Sequence, residues 1–349
     1  MPERGVTEDF GRELPGRGIS PMVKVMIVSG AQDVHAQAVM RALAERGDAT
    51  TELLDLSEFP TKLSLAMAFE DGCRRFRLRR SGENGGTFDL SEIGAIWWRR
   101  PQPYRLPDAL SDPAQQRFAV LEAETAFQGL YQSLPAFWVN EPLRDIAAGR
   151  KPWQLALAQE IGLEIPPMLM TNDPDAAQAF WRRHDGEVVY KQFIAMPDAW
   201  RETRRLKPED VQLAEAVRGA PVIFQRYVEA VAEIRALVVG GEIFAASTDL
   251  SQVEYPVDVR MNLDTPYQPH TLPEEVQTRL RLLLARMGLE YGAIDLRLTP
   301  EGRYVFLEIN PAGQFLYIER ETGQKIAAAL AAHLVRGALA RNRGTGNKG

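Results

Sequence analysis

From Ala293 to Pro311 the chain reads AIDLRLTPEGRYVFLEINP, two apolar runs joined by Thr299-Pro300-Glu301-Gly302. Proline with glycine two residues on is turn chemistry, so the segment predicts a β-hairpin. Asp295 interrupts one run and Glu308 the other, and a carboxylate in a half-buried strand needs a partner. Side chains alternate along a strand, so Glu308 and Asn310 share a face. With the turn centred on Pro300-Glu301, position 295 falls opposite 306, which puts Asp295 on that face, diagonal to Glu308. Two carboxylates and an amide oxygen on one side of a ribbon suit Mg²⁺, which is commonly held by one or two carboxylates together with substrate phosphates. The other reading is a polar sheet face with exposed acids. The apolar flanks favour the metal.

A metal that carries phosphates calls for cations nearby. Lys191 lies inside the apolar strand VVYKQF, Arg235 inside EIRALVV, and Lys151 at the start of a helical stretch. Taken singly, each lysine is weak evidence, since such a residue is more often than not surface charge.

Around these residues the chain divides in two. VKVMIVSG (23–30), a helical pattern closed by Gly47, and TELLDL (51–56) form a strand–helix–strand opening, so the first domain is α/β. AIWWRRP (95–101) is a further strand, and a helix-rich stretch runs from 113 to 134. A second region begins near Asn140, with a helix at 152–161, strands at 187–193 and 221–229, and two strands at 234–247 about Gly240-Gly241. The last amphipathic helix is expected over 322–340. The division is therefore 22–140 and 141–340, with residues 1–21 a disordered extension or an unused upstream start, and 341–349 a flexible tail.

Composition excludes several classes. At roughly 150 residues per domain, 349 residues make about two domains. A net charge of −6 argues against sequence-independent nucleic-acid binding, and we expect no such partner. The one cysteine, Cys73, allows no intrachain disulfide, Cys-based zinc site or iron–sulfur cluster, and the four histidines form no i,i+4 pair. No apolar run has the length of a membrane span and the N-terminus has no apolar core, so neither membrane nor export is expected and the setting is read as cytoplasmic. The only basic stretch interleaved with aromatics is taken to be 200–207, WRETRRLK.

The ordered set Lys151, Lys191, FQRYV (224–228), Glu233-Ile-Arg235, Asp295 and LEINP (307–311) resembles the ATP-grasp superfamily, down to the twelve residues between Asp295 and Glu308. That resemblance implies an α/β chain with an ATP-grasp fold of two subdomains, its adenine hinge near 221–230, behind a Rossmann-like pre-ATP-grasp domain. It also implies ATP and Mg²⁺ as cofactors. Gln225, Tyr227 and Val228 would contact adenine, mostly through backbone. Glu233 would hold the ribose hydroxyls, Lys151 and Lys191 the phosphates, and Asp295, Glu308 and Asn310 the metal. Arg235 is the candidate for the cation nearest the transferred phosphoryl group.

Within the superfamily, AIWWRRP, FWVNEP (137–142), GLEIPPMLMTND (162–173) and NPAGQFLYIE (310–319) look most like the microviridin-type peptide ligases, the graspetide maturases. The similarity runs from about Val23 to Leu334. It implies an enzyme that activates Asp or Glu side chains of a leader-bearing precursor peptide as acyl phosphates and closes ω-ester or ω-amide cross-links. The alternatives are a RimK-type ligase adding a free amino acid to a carboxylate, and a non-catalytic ATP-binding protein. A homodimer is left open.

The stretch 192–209 departs from the superfamily pattern in having no glycine for a phosphate loop, so Arg201, Arg204 or Arg205 is expected to cover the phosphates, with a solvated loop as the other reading. Arg99 and Arg100 end a strand where α/β sheets place ligands. Adjacent strand residues face opposite sides, so one of the two is expected to meet an acidic substrate. With Arg201 and Arg204, they are the substrate-binding candidates. No general base is evident, since His184 and His270 lie in loop-like contexts.

Overall fold

The computed structural model describes residues 22–82, 85–194, 203–211, 214–253, 255–257 and 266–345. Expectations about residues 1–21 and about Arg201 lie outside them. Among the described residues, no helix is long and apolar enough to cross a membrane.

The first domain opens with β1 (Val23–Ser29), α1 (Val34–Arg46) and β2 (Ala49–Leu54). Asp33 caps α1, accepting from the His35 amide at 2.8 Å, and Gly47 closes it at φ 71°. Strands β3 (Leu63–Glu70), β4 (Cys73–Arg80) and β5 (Thr87–Asp89) form a separate antiparallel sheet that the sequence reading did not anticipate. Its middle strand, CRRFRLRR, is a second basic stretch carrying an aromatic, so 200–207 does not stand alone. After β6 (Ala95–Arg100) come α2 (Pro113–Ser133) and β7 (Phe137–Val139). The main sheet has parallel order β2-β1-β6-β7, and the nearly unbroken apolar run of β1 is what a parallel strand covered on both faces requires.

Short helices α3 (Pro142–Ala148) and α4 (Lys151–Glu160) lead into the second half. There β8 (Met168–Thr171), α5 (Pro174–Arg183), β9 (Val188–Lys191), β10 (Arg204–Arg205), α6 (Pro208–Val211) and β11 (Val222–Arg226) build a small sheet of order β10-β9-β11-β8. A larger antiparallel sheet, β14-β13-β12-β15-β16, follows from β12 (Ala232–Val239), β13 (Glu242–Asp249), β14 (Gln268–His270), β15 (Tyr291–Leu298) and β16 (Tyr304–Asn310), with α7 (Glu274–Met287) packed beside it. Residues 227–231 join β11 to β12 and so bridge the two sheets. The Tyr227 amide donates to Glu187 on the small-sheet side, and that of Val231 to Leu298 on the large-sheet side.

The C-terminal end differs from expectation. One helix over 322–340 is instead α8 (Leu316–Thr322) and α9 (Ile326–Thr345), separated at Gly323, and α9 continues five residues into the presumed tail. α9 packs on α1, β1, β6 and β7 of the first domain. A single buried cluster therefore combines Val25, Ile27 and Trp97 with Leu237, Tyr291, Leu330 and Leu334. The two halves share a core.

Candidate active site

The hairpin forms as a ribbon of β15 and β16, but its register is not the one inferred from the turn. Leu298 pairs with Tyr304, which centres the turn on Glu301 and moves the register by one, and a β-bulge between Asp295 and Leu296 takes up one further residue of β16, so that Leu296 pairs with Phe306 and Asp295 with Glu308. Asp295 therefore lies directly opposite Glu308, not diagonal to it. β12 adds Arg235 opposite Asp295. A line Arg235–Asp295–Glu308 thus crosses three adjacent strands, and Lys151 at the first turn of α4 extends it by an ion pair with Glu308.

Each carboxylate of this line faces a cation. Arg235 donates to Asp295 Oδ1 at 2.7 Å and to the Gln314 carbonyl at 3.4 Å. Burial alone would lower the Arg235 pKa, but Asp295, with Tyr317 and Tyr291 beside it, raises it above the usual value and keeps the guanidinium protonated. Asn310 is exposed, and its side-chain oxygen accepts from the Ala312 amide at 3.0 Å, bending the chain after β16. Two adjacent carboxylates with an amide oxygen two residues on leave most of a coordination sphere to substrate oxygens and water, the donor set Mg²⁺ prefers.

Two residues further along the same face, Glu233 of β12 pairs with Arg297 of β15. Arg297 was missed in the sequence, although alternation from Asp295 puts it on the candidate face. It is 4% exposed. It approaches Glu233 at 3.5 Å, donates to the Val228 carbonyl at 2.9 Å and also reaches the Val257 carbonyl at 3.2 Å. Its guanidinium lies 5.3 Å from the Tyr227 ring, whereas that of Arg205 lies 4.0 Å from it. Val228, Tyr227 and Glu233 are thus fastened to one buried cation, and Gln225 is buried in β11 beside them. Lys191 ends β9 opposite Ile223, in the small sheet across the 227–231 connection from the carboxylates. Arg204 pairs in register with Tyr190 and is exposed.

The strand-end arginines divide as alternation requires. Arg100 is exposed. Arg99 is 1% exposed, and its guanidinium meets Asp33 at 3.2 Å and donates to the carbonyls of Ala312 and Gly313. So engaged, Arg99 clamps the loop that follows the candidate metal ligands. Three more residues missed in the sequence hold that loop. The Tyr291 hydroxyl donates to the Gly313 carbonyl at 2.9 Å, and His35 Nδ1 accepts from the Phe315 amide at 3.4 Å. Burial lowers the His35 pKa to about 4, which keeps that nitrogen an acceptor. Asn140 is fully satisfied: its amide donates to the Tyr291 and Pro311 carbonyls and accepts from the amides of Glu290 and Tyr291. One residue at the end of β7 therefore fixes both strands of the β15–β16 ribbon to the first domain. Tyr267 and Tyr317, rings 5.3 Å apart, flank Arg235, and burial raises both phenol pKa values.

Comparison with known proteins places both halves. The description "MvdD pre-ATP grasp domain" matches residues 24–145 and "RimK-like ATP-grasp domain" matches 155–334. Among solved structures, the macrocyclase MdnB of Microcystis aeruginosa MRC is 31% identical, with TM-score 0.76 over 90% of this chain and 99% of that one. The macrocyclase MdnC of the same organism, bound with precursor peptide MdnA, is 28% identical, with TM-score 0.80 over 90% and 100%. A RiPP-associated ATP-grasp ligase of Chryseobacterium gregarium, in complex with ADP and a leader and core peptide, is 26% identical, with TM-score 0.81 over 90% and 97%. No curated protein matches the sequence.

Proposed function

The chain belongs to the RimK-like ATP-grasp ligases, carrying the pre-ATP-grasp domain of the graspetide-type enzymes, and from that premise we propose that it cross-links a ribosomal precursor peptide. The observation that carries the reading is the line Arg235–Asp295–Glu308–Lys151 across one sheet face, behind a first domain of the macrocyclase type.

A side-chain carboxylate is a poor electrophile. Transfer of the ATP γ-phosphoryl group to an Asp or Glu of the peptide gives an acyl phosphate and ADP. A hydroxyl or amine of the same peptide then attacks the acyl carbon, phosphate leaves with the bonding pair, the nucleophile's proton passes to solvent, and an ω-ester or ω-amide closes the ring. Asp295, Glu308 and Asn310 would hold Mg²⁺, which when bound neutralises charge on the phosphate oxygens. Arg235, pinned between Asp295 and the Gln314 carbonyl, presents a fixed positive charge beside the transferred group. Lys151, from the start of α4, and Lys191, from the small sheet, bind phosphate oxygens. The 225–228 segment orients the adenine, and Glu233, steadied by Arg297, receives the ribose hydroxyls.

The test supplies ATP, Mg²⁺ and a short Thr/Ser/Glu/Asp-rich precursor peptide, sought in a reading frame next to that of this chain. The expected result is ADP release matched by loss of one water from the peptide per cross-link, read by mass spectrometry. ADP formation with free glutamate, with no dehydrated peptide, would overturn the reading in favour of the RimK-type alternative.

A further inference from the structure

A cleft of about 450 Å³ opens in the first domain between α2, α3 and the residues that follow β6. Its walls are aromatic. Tyr104 stacks on Phe127 at 5.6 Å, Trp98 meets Tyr131 edge-on at 5.0 Å, and Leu143 and Ile146 of α3 extend the surface, both half-exposed. No lysine or arginine lines this cleft, but Glu124 and Glu141 do. The Glu141 carboxylate accepts from the Leu143 and Arg144 amides at the start of α3. Glu124 is exposed, and among the described residues no hydrogen bond or ion pair engages it. Tyr131 is 7% exposed, lines the cleft, and its buried hydroxyl has no hydrogen-bond partner.

These features select a ligand class. An anion would meet two carboxylates and no cation. A purely apolar group would leave the Tyr131 hydroxyl unmatched, at the cost of a buried polar atom without a partner. An aliphatic stem with a cationic head satisfies all of them, because aromatic faces attract cations and the stems of lysine and arginine pack on apolar walls. We propose that this cleft is a subsite for a basic side chain of the peptide substrate, its stem between the rings and its head between Glu124 and the Tyr131 hydroxyl. α3 runs within three residues into α4, whose first residue is Lys151, so a peptide anchored here lies on the approach to the phosphates. That the side chain belongs to the substrate rests on the function proposed above; the chemistry of the cleft does not.

The experiment labels the full chain with 5-fluorotryptophan, assigns the Trp98 fluorine resonance by Trp98→Phe, and titrates N-acetyl-arginine amide against N-acetyl-norleucine amide. We expect a saturable shift of the Trp98 resonance with the arginine probe, with norleucine binding roughly fivefold more weakly. Glu124→Gln should erase that preference while leaving the thermal shift with ATP unchanged. Equal binding of the two probes, or no response at Trp98, would overturn the subsite. If the arginine probe binds but Glu124→Gln leaves the KM of the precursor peptide unchanged, the assignment to the substrate fails and the cleft serves another basic polypeptide. Absence of peptide dehydration with an intact probe response would instead sink the ligase reading alone.

Discussion

Arg235 is buried in the middle of β12 and depends on one carboxylate, Asp295, for its charge partner. Asp295→Asn therefore removes a proposed metal ligand and also leaves a largely buried guanidinium without its counterion. We expect it to abolish ATP turnover and to cost on the order of 3 kcal/mol of stability. Glu308→Gln should abolish turnover equally but cost only about 1 kcal/mol, since its partner Lys151 reaches solvent more readily. Urea midpoints and coupled ADP assays on the two variants check both halves; equal destabilisation would mean Asp295 does not neutralise Arg235. The identity of these residues was legible in the sequence, because a charge inside an apolar strand is locally conspicuous. Their partnership was not, since Arg235 and Asp295 are 60 residues apart. Arg99 shows the limit from the other side: nothing local to Arg-Arg at a strand end tells which of the two the loop after β16 will bury.

The hairpin and the loop after it are the element on which the site depends. The turn is written in Pro300 and Gly302, but the bulge that brings Asp295 opposite Glu308 has no local signature, because counting outward from a turn presumes an unbroken ladder. The loop Pro311–Phe315 approaches the sheet closely. A Cβ added at Gly313 would stand 2.2 Å from the Ala293 Cβ and 2.9 Å from Arg235 Nη2. Gly313→Ala should therefore displace this loop, lower stability by about 1–3 kcal/mol and depress kcat. At Gly129, exposed near the C-terminal end of α2, an added Cβ meets nothing within 4 Å, so Gly129→Ala should stabilise by about 0.5–1 kcal/mol with activity unchanged. Thermal melts with ADP-release assays separate the two, and a harmless Gly313→Ala would refute the close approach.

Over the whole molecule, the joint between the halves holds a carboxyl that burial raises to about pKa 7. Asp145 of α3 lies near Arg99, Asn140 and Glu141, with its Oδ2 buried and unpartnered. The unfolded chain ionises this group near 3.8, so between there and about pH 7 the folded state binds more protons. Its contribution to stability accordingly falls as pH rises through that window and levels off above it. Asp145→Asn removes the dependence, so the melting temperature of the variant minus that of the natural chain should grow from pH 4.5 to pH 8. A difference constant with pH would show that Asp145 is solvated. The sequence by itself determined the order of the chemistry, from Lys151 through Glu233 to Asn310, and the elements whose apolar period is strong, such as β1, α1 and the β15–β16 hairpin, because periodicity and turn residues act over a few neighbours. Only the tertiary structure decided that α9 returns to complete the core of the first domain, that Asn140 and Arg99 lock the first domain to the loop after β16, and that a line of four charges crosses one sheet face. Those contacts join residues far apart in the chain, and their free energy appears only when the shared core closes and takes their charges and amides out of water.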